Sequence, residues 1–579
     1  MDSDGNREPS LRRGSSLIAR PRRDLGSILP ITAWLPKYQR ARLGSDLIAG
    51  LALSALLIPE SLGYAGIAGV SPELGLYAAL GAVVAYALTG GTSILVVGPA
   101  SAVAALSASI VSEFRGDVDH TQLIVGLTIA SGVLLVIAGL FRLGWIVNFI
   151  SQPVLHAFVA ALSISIIVGQ LDGLVGIEVQ GMSTISKLVD VLVQVGTWHL
   201  PTVAIGVGAV IVLIALERFL PRLPAAIVLV VIGIALATAA DLGSQGIALV
   251  GEIPHGLPTL GAPDLGGTRW LELLGGAMAL VVVGFSEGYA AASNVAATTG
   301  ERIDADQELL ASGAANLGAG LLGGIAVSGS LSKSAASQAA GARTQITNLV
   351  AGVIVVATLL FLGPMFEHLP EPILAAIVFV AVLRSADPRH LLRLWNVNRH
   401  DFAAGAVTFT LVLAWETVPA LAVGVAISLA FLVRRASFPD VIELEVAQAG
   451  DSEVIPDPLT ADRTDDDSPA WDEVGVIRFE GPLIYANAER LPMACRELLD
   501  RSPGISRVVL DAEMMSDLDS TGADTLAALD DDLNEQGVRL LLARVHHRAL
   551  LQIRRSHLST RFDDRLHDHI SEAVAAASS

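Results

Sequence analysis

Between Asp46 and Ala436 the chain is a nearly continuous series of apolar stretches, separated by short polar breaks. A helix crosses the hydrocarbon core of a bilayer with about 20 apolar residues. Lipid offers a backbone amide no hydrogen-bond partner, so each crossing stretch must satisfy its own backbone as a helix. Twelve spans are predicted, near 46–66, 74–90, 121–141, 151–171, 200–217, 223–240, 270–298, 305–324, 345–363, 369–386, 400–417 and 419–436. Two more, 93–112 and 325–342, are interrupted by Gly, Ser or Pro. Fourteen segments is an even number, which returns the chain to the side from which it started.

Composition supports this. Of the 579 residues, 52% are apolar and 16% charged, and the mean hydropathy is +0.60. A soluble globular chain carries about 25% charged residues. The single cysteine, Cys495, excludes a disulfide scaffold. No apolar core of a cleavable leader stands near the start.

The net charge of −20 is unevenly spread. Residues 1–45 hold 9 basic and 4 acidic side chains (+5), residues 46–436 hold 15 and 24 (−9), and residues 437–579 hold 13 and 29 (−16). The basic arm, Arg-rich from Leu11 to Arg23, is read as a solvated cytoplasmic tail, with contact to lipid headgroups as the alternative. No larger basic face exists, so nucleic acid is not an expected partner. Arg142, Arg218 with Arg222, the stretch Arg384, Arg389, Arg393 and Arg399, and Arg434–Arg435 fall between alternate helix pairs. From Leu223 to Thr268 there is neither Lys nor Arg. Cations concentrate in cytoplasmic loops, so both termini are expected in the cytoplasm of a cell carrying this protein in its plasma membrane. Only 3 of the 37 basic residues are lysines (Lys37, Lys187 and Lys333), which with the abundant Ala and Gly suggests a GC-rich bacterial source.

The two interrupted segments carry the strongest functional signal. One reads Ile94-Leu95-Val96-Val97-Gly98-Pro99-Ala100-Ser101, the other Ile325-Ala326-Val327-Ser328-Gly329-Ser330-Leu331-Ser332-Lys333. Each is an extended apolar stretch, a glycine, then a run of small residues suited to a helix. Pro99 is expected in the first turn of its helix, where a missing N–H is harmless; Ser330 or Ser332 is expected to cap the other. A helix N-terminus offers free N–H groups and a positive dipole end. A pair of such breaks in corresponding halves of a membrane protein points to a binding site at mid-membrane. Gly98 and Gly329 are 231 residues apart, and the intramembrane acids Glu60 and Glu287 are 227 apart, so the chain reads as two halves of seven segments.

Lys333, Glu60 and Glu287 are charges in an apolar setting, and such charges are functional candidates. Lys333 either raises the potential for an anion or pairs with Glu60 or Glu287. Glu60 is a candidate proton acceptor, because protonation removes repulsion of an incoming anion; a structural hydrogen bond is the alternative. Glu287 fits the same role, coordination of a cation such as sodium, or helix anchoring. The Gly318–Gly323 match to GxGxxG follows a helix rather than a strand and reads as small-residue helix packing. No zinc spacing and no catalytic constellation is present, so neither a metal nor a cofactor is expected, and the chain is not read as an enzyme.

Residues 437–472 read as a hydrated acidic linker, with the run Asp465-Asp466-Asp467. From residue 473 a soluble α/β domain is expected, followed by a short tail at 573–579. Val474–Phe479, Arg507–Leu510 and Val538–Ala543 read as strands, and Ala488–Asp500 and Ser520–Gln536 as helices. Ser520 is read as an N-cap, and a phosphate at that helix end would be favoured by the dipole.

These stretches resemble the SulP family of anion transporters. The likeness rests on Ile58-Pro59-Glu60-Ser61 with Gly63-Tyr64-Ala65, Pro72-Glu73-Leu74-Gly75-Leu76-Tyr77-Ala78-Ala79, Val97-Gly98-Pro99, Gly251-Glu252-Ile253-Pro254-His255-Gly256-Leu257-Pro258, Asp306-Gln307-Glu308-Leu309 and Gly329-Ser330-Leu331-Ser332-Lys333-Ser334. The tail is similar to a STAS domain through Phe479-Glu480-Gly481-Pro482-Leu483, Tyr485-Ala486-Asn487, Leu510-Asp511 and Leu518-Asp519-Ser520-Thr521. The resemblance implies a 7+7 inverted repeat of fourteen segments with core and gate subdomains, a homodimer, and elevator-like movement. It also implies a small anion, sulfate before bicarbonate or a dicarboxylate, held between the third and tenth segments by Gly98, Pro99, Ala100 and Ser101 on one side and Gly329, Ser330, Leu331, Ser332 and Lys333 on the other. Many members carry Gln at the position of Glu60 and often Arg at that of Lys333. Glu60 matches proton-coupled members, which favours symport with a proton over sodium coupling or exchange. Ser520 resembles a phosphorylated STAS position, and the domain implies a cytoplasmic protein partner. A membrane sensor built on the STAS domain is the alternative of another class.

Overall fold

The computed structural model describes residues 29–114, 119–145, 151–177, 179, 184–220, 225–251, 256–383, 387, 389–415, 417–444 and 473–578. The Arg-rich stretch Leu11–Arg23, the acidic run Asp465–Asp467 and the motif residues Glu252–His255 lie outside the described residues. The chain divides into two compact units, residues 1–428 and 429–579.

The first unit is helical. Its full spans begin with α1 (Leu43–Ile67) and α2 (Pro72–Thr89). The first broken segment is β1 (Val96–Pro99) followed by α3 (Ser101–Ser112). Then come α4 (His120–Leu140), α5 (Gln152–Gly169), a short α6 (Thr184–Val193), α7 (Leu200–Phe219) and α8 (Ala225–Ala240). The second half runs through α9 (Gly266–Thr299) and α10 (Ala305–Leu321) to the second broken segment, β2 (Val327–Ser330) with α11 (Leu331–Ala339). It closes with α12 (Ile346–Ala357), α13 (Glu371–Leu383), a short α14 (Arg389–Val397), α15 (Arg399–Ala414) and α16 (Thr417–Ser437), whose residues from 429 on are counted with the second unit. With α6 and α14 set aside, these are fourteen segments among the described residues, seven in each half. Seven helices are long and apolar enough to cross a membrane by length alone; α3, α8, α12 and α13 are shorter apolar helices.

The halves are inverted repeats. β1 and β2 pair antiparallel, Val96 opposite Ser330 and Pro99 opposite Val327, so corresponding elements run in opposite directions. The core group gathers α1–α4 and α9–α12, with α10 packed on α4 and α2, and α12 on α1. The gate group gathers α5, α7, α8, α13, α15 and α16; α15 packs on α5, α7 on α13, and Gly424 of α16 lies against Thr408 of α15 and Val154 of α5. Small residues make this packing close, since lipid supplies no hydrophobic drive between helices. A Cβ on Gly81 of α2 would stand 2.3 Å from the Gly318 carbonyl oxygen of α10. The Gly318–Gly323 match is thus helix packing at its first position.

The second unit is a five-stranded sheet in the order β3-β4-β5-β6-β7, from β3 (Val441–Glu443), β4 (Val474–Phe479), β5 (Arg507–Asp511), β6 (Arg539–Ala543) and β7 (Leu566–His567). β3 is antiparallel to β4 and the other pairs are parallel. Alternate strand residues face opposite layers. Phe479, Leu510 and Leu542 pack with α17 (Arg490–Arg501), α18 (Ser520–Glu535) and α19 (His547–Arg555), whereas Val476, Val509 and Leu541 pack with α20 (Ile570–Ser578).

Two sequence boundaries need correction. The stretch 437–472 is not all spacer, because β3 forms the sheet edge; its neighbouring acids disguise Val441 and Ile442, which sit against the apolar layers. The tail 573–579 is not separate either: Ala573 and Val574 are buried in the second layer as part of α20.

Candidate functional site

β1 and β2 lie side by side and each runs directly into a helix, so α3 and α11 leave the ladder in opposite directions with their N-termini turned toward each other. Ser330 is level with Val96. At about 3.3 Å per residue, the two N-termini stand roughly 13 Å apart along the ladder. Both positive dipole ends therefore point into one space. Ala100, Ser101 and Ser330 are half-buried there, while Leu331 and Ser332 are exposed.

Backbone proximity fixes this place. Gly329 lies against α9, where a Cβ would stand 2.8 Å from the Gly288 Cα. Only a residue without a side chain permits that approach. Behind β2, Asn316 of α10 substitutes for a neighbouring strand: its Oδ1 accepts from the Val327 N–H at 3.1 Å and its Nδ2 donates to the Val327 carbonyl at 3.0 Å. Ser334 fastens β1 to α11, accepting from the Val96 N–H at 2.9 Å.

The two helix ends are finished differently. α3 begins after Ala100, and no side chain caps it. The expectation that Pro99 sits in the first helical turn is corrected: Pro99 ends β1 opposite Val327, two residues before the helix, and its carbonyl is taken by the Lys333 ammonium. α11 is capped by Ser330, whose Oγ accepts from the Lys333 N–H at 3.3 Å. Ser330 and Ser332 hydroxyls also bond at 3.2 Å.

Lys333 is 1% exposed. Its ammonium lies 2.6 Å from Glu60 Oε2, donates to the Pro99 carbonyl at 3.0 Å, and stands 5.1 Å from the centre of the Tyr64 ring. Of the two sequence readings, the structure shows the ion pair with Glu60. Tyr64 donates its hydroxyl to the same Glu60 oxygen at 3.3 Å. The site thus combines two helix dipoles with a charge pair that is neutral as a whole. Glu287 comes to the same region, with the Ser328 hydroxyl 3.5 Å from its Oε2. Gly98, Pro99, Ala100, Ser101, Gly329, Ser330, Leu331, Ser332, Lys333, Glu60 and Glu287 are therefore assembled around one ladder.

Ser520 belongs to the other unit. It is not the cap: Asp519 is, accepting from the Gly522 N–H at 2.7 Å, and Ser520 is the first helical residue, exposed. Asp outcompetes it because its carboxylate reaches the third N–H of the helix.

Neither Tyr64, present in a family motif, nor Asn316 is among the site residues expected from the sequence. Tyr64 stands one helical turn after Glu60, a spacing at which side chains meet. Asn316 is an amide in a run of Ala, Gly and Leu, and that isolation was its available signal.

Comparison with known proteins gives a consistent result. The sulfate permease family matches residues 43–408 and the STAS domain residues 467–576. A probable sulfate transporter of Mycobacterium tuberculosis is 32% identical over 549 residues, covering 93% of this chain and 96% of that protein. The chloroplastic sulfate transporter 4.1 of Arabidopsis thaliana is 27% identical over 556 residues, covering 92% and 80%. In fold, the chain is similar to the murine solute carrier 26 family member A9 anion transporter in its inward-facing state, with a TM-score of 0.87, 21% identity, and 98% and 97% of the two chains covered. The transmembrane domain of a cyanobacterial bicarbonate transporter gives 0.57 and 20%, covering 68% of this chain and 98% of that one.

Proposed function

Since the chain belongs to the sulfate permease family and carries a STAS domain after its membrane segments, we propose that it is a secondary active transporter of a small inorganic oxyanion, sulfate first, driven by a proton. The observation that carries this is the pair of helix N-termini facing each other across β1 and β2, beside the Lys333–Glu60 pair. Free N–H groups of α3 and α11 bind the anion oxygens. With Glu60 ionised, the Lys333 charge is spent on its partner. A proton on Glu60 cancels the carboxylate and leaves the ammonium to the anion, so proton and anion enter together. Glu287 adds a second carboxylate beside Ser328 of β2 and is the alternative coupling group.

In the proposed cycle the core group, which holds both helix ends, slides against the gate group and carries the site from one side to the other. The protein works as a homodimer in the plasma membrane with both termini in the cytoplasm. There the STAS unit meets a protein partner, and a phosphate on Ser520 would sit at the α18 N-terminus beside the Asp519 carboxylate.

The test is uptake of labelled sulfate into proteoliposomes with an acidic exterior. Accumulation is expected to require the gradient and to be lost in Glu60→Gln, while sulfate exchange persists. Gradient-driven accumulation that survives Glu60→Gln unchanged refutes the coupling role of Glu60. A requirement for sodium in place of the pH gradient would support the sodium-coupled alternative.

A further inference from the structure

Asp46 is fully buried, at 0% relative exposure, and no step of the proposed cycle uses its carboxylate. It accepts five hydrogen bonds. One comes from the Tyr38 hydroxyl at 3.1 Å. Three come from the turn between α11 and α12, the Arg343 N–H at 2.8 Å, the Thr344 N–H at 3.3 Å and the Thr344 hydroxyl at 2.8 Å, and the fifth from the Thr347 hydroxyl in the first turn of α12 at 3.3 Å. A carboxylate is an acceptor at every lone pair, so it suits a ring of donors that no other side chain matches.

Asp46 and Glu60 stand on one helix, fourteen residues apart, which is about 21 Å. Glu60 holds Lys333 in the first turn of α11, and Asp46 holds the chain just beyond its last turn. α11 has nine residues, too few to hold its direction alone in a crowded core. α1 therefore grips it at both ends, running antiparallel to it.

We propose that Asp46 is a positioning residue for the anion site: by fixing the tail of α11 it keeps the N-terminal turn of that helix aimed at the space beside β1. The inference rests on the reading that α11 opens onto the anion. Asp46→Asn places an NH2 donor among donors, whereas Asp46→Glu keeps the acceptor set.

The test uses the full-length protein in membranes with Ser332→Cys as a reporter thiol; the native Cys495 is buried and does not compete. Maleimide labelling at position 332 is expected to speed up at least threefold in Asp46→Asn and to return toward the reference rate in Asp46→Glu. Without the reporter, the sulfate KM is expected to rise at least threefold in Asp46→Asn with Vmax per folded molecule within twofold. Thr344→Val, which removes one donor, shifts both in the same direction by less and stands in if Asp46→Asn does not fold. Unchanged labelling and unchanged KM, with only less folded protein recovered, overturn the proposal. Sulfate flux missing from the unsubstituted protein would instead defeat the transport reading, and labelling alone would then decide the role of Asp46.

Discussion

The Lys333–Glu60 pair yields a prediction with a definite sign pattern. The charges are 2.6 Å apart, with 2% and 14% of their side chains exposed. At an effective dielectric of 20, the gross attraction over that distance is about 6 kcal/mol. Desolvation offsets much of it, yet removing one partner of a buried pair costs about 3–5 kcal/mol, because the other charge is left alone. Lys333→Met leaves Glu60 with the Tyr64 hydroxyl and turns a neutral pair into a negative site. Sulfate affinity at neutral pH should fall about 100-fold, equivalent to about 2.7 kcal/mol. Adding Glu60→Gln removes the stranded carboxylate and should recover about tenfold of that loss, together with much of the lost melting temperature. Glu60→Gln alone frees the ammonium, so affinity should rise and lose its pH dependence. The assay is equilibrium binding of labelled sulfate to purified protein between pH 5 and 8, with a melting curve for each variant. A double variant that binds as weakly as Lys333→Met would refute the idea that Glu60 opposes the anion when Lys333 is gone.

Three further outcomes follow from the geometry. Gly329→Ala sets a Cβ 2.8 Å from the Gly288 Cα, and overpacking against backbone costs about 1–3 kcal/mol, so transport assays should show a loss of flux in protein that still reaches the membrane. Asn316→Leu leaves the Val327 N–H and carbonyl without partners, at about 1–3 kcal/mol each, and thermal scanning should show a lower melting temperature and sulfate uptake a higher KM. In the soluble unit, burial alone would raise the carboxyl pKa of Asp511, but the Arg544 and Arg478 guanidinium groups outweigh it and hold it below the usual range. A depressed pKa stabilises the fold above the unfolded value, about 3.9, and that support is lost as pH falls through the folded value. Protease resistance of the unit should thus hold at pH 5 and fail only in stronger acid, whereas Asp511→Asn weakens it by about 3–5 kcal/mol at neutral pH.

Hydrophobic runs made the span count legible, because each element must be apolar over a fixed length. Even the two breaks were legible, since Gly98–Pro99 and Gly329–Ser330 interrupt apolar runs at matching intervals. The antiparallel register that turns those breaks into one site was not, because it depends on pairings such as Val96 with Ser330, which are far apart in the chain. Lys333 illustrates the division. Its charge marked it as functional, but whether it faced the anion or Glu60 depended on a rotamer that no spacing specifies. α6 and α14 escaped for another reason: at 10 and 9 residues they are too short for a span, and the cations of α14, Arg389 and Arg393, made its stretch read as a loop. β3 was hidden by the acids around it, since local composition outweighed three strand residues that need β4 to form.

Where the anion sits decides whether the two helix ends are the transport site. Crystals or membranes loaded with selenate, whose heavier central atom scatters anomalously, would locate it directly. One peak per chain is expected between the N-termini of α3 and α11, with oxygens at roughly 2.7–3.2 Å from backbone N–H groups of their first turns. A peak elsewhere in the core, or none at β1 and β2 in a preparation that transports sulfate, would contradict it.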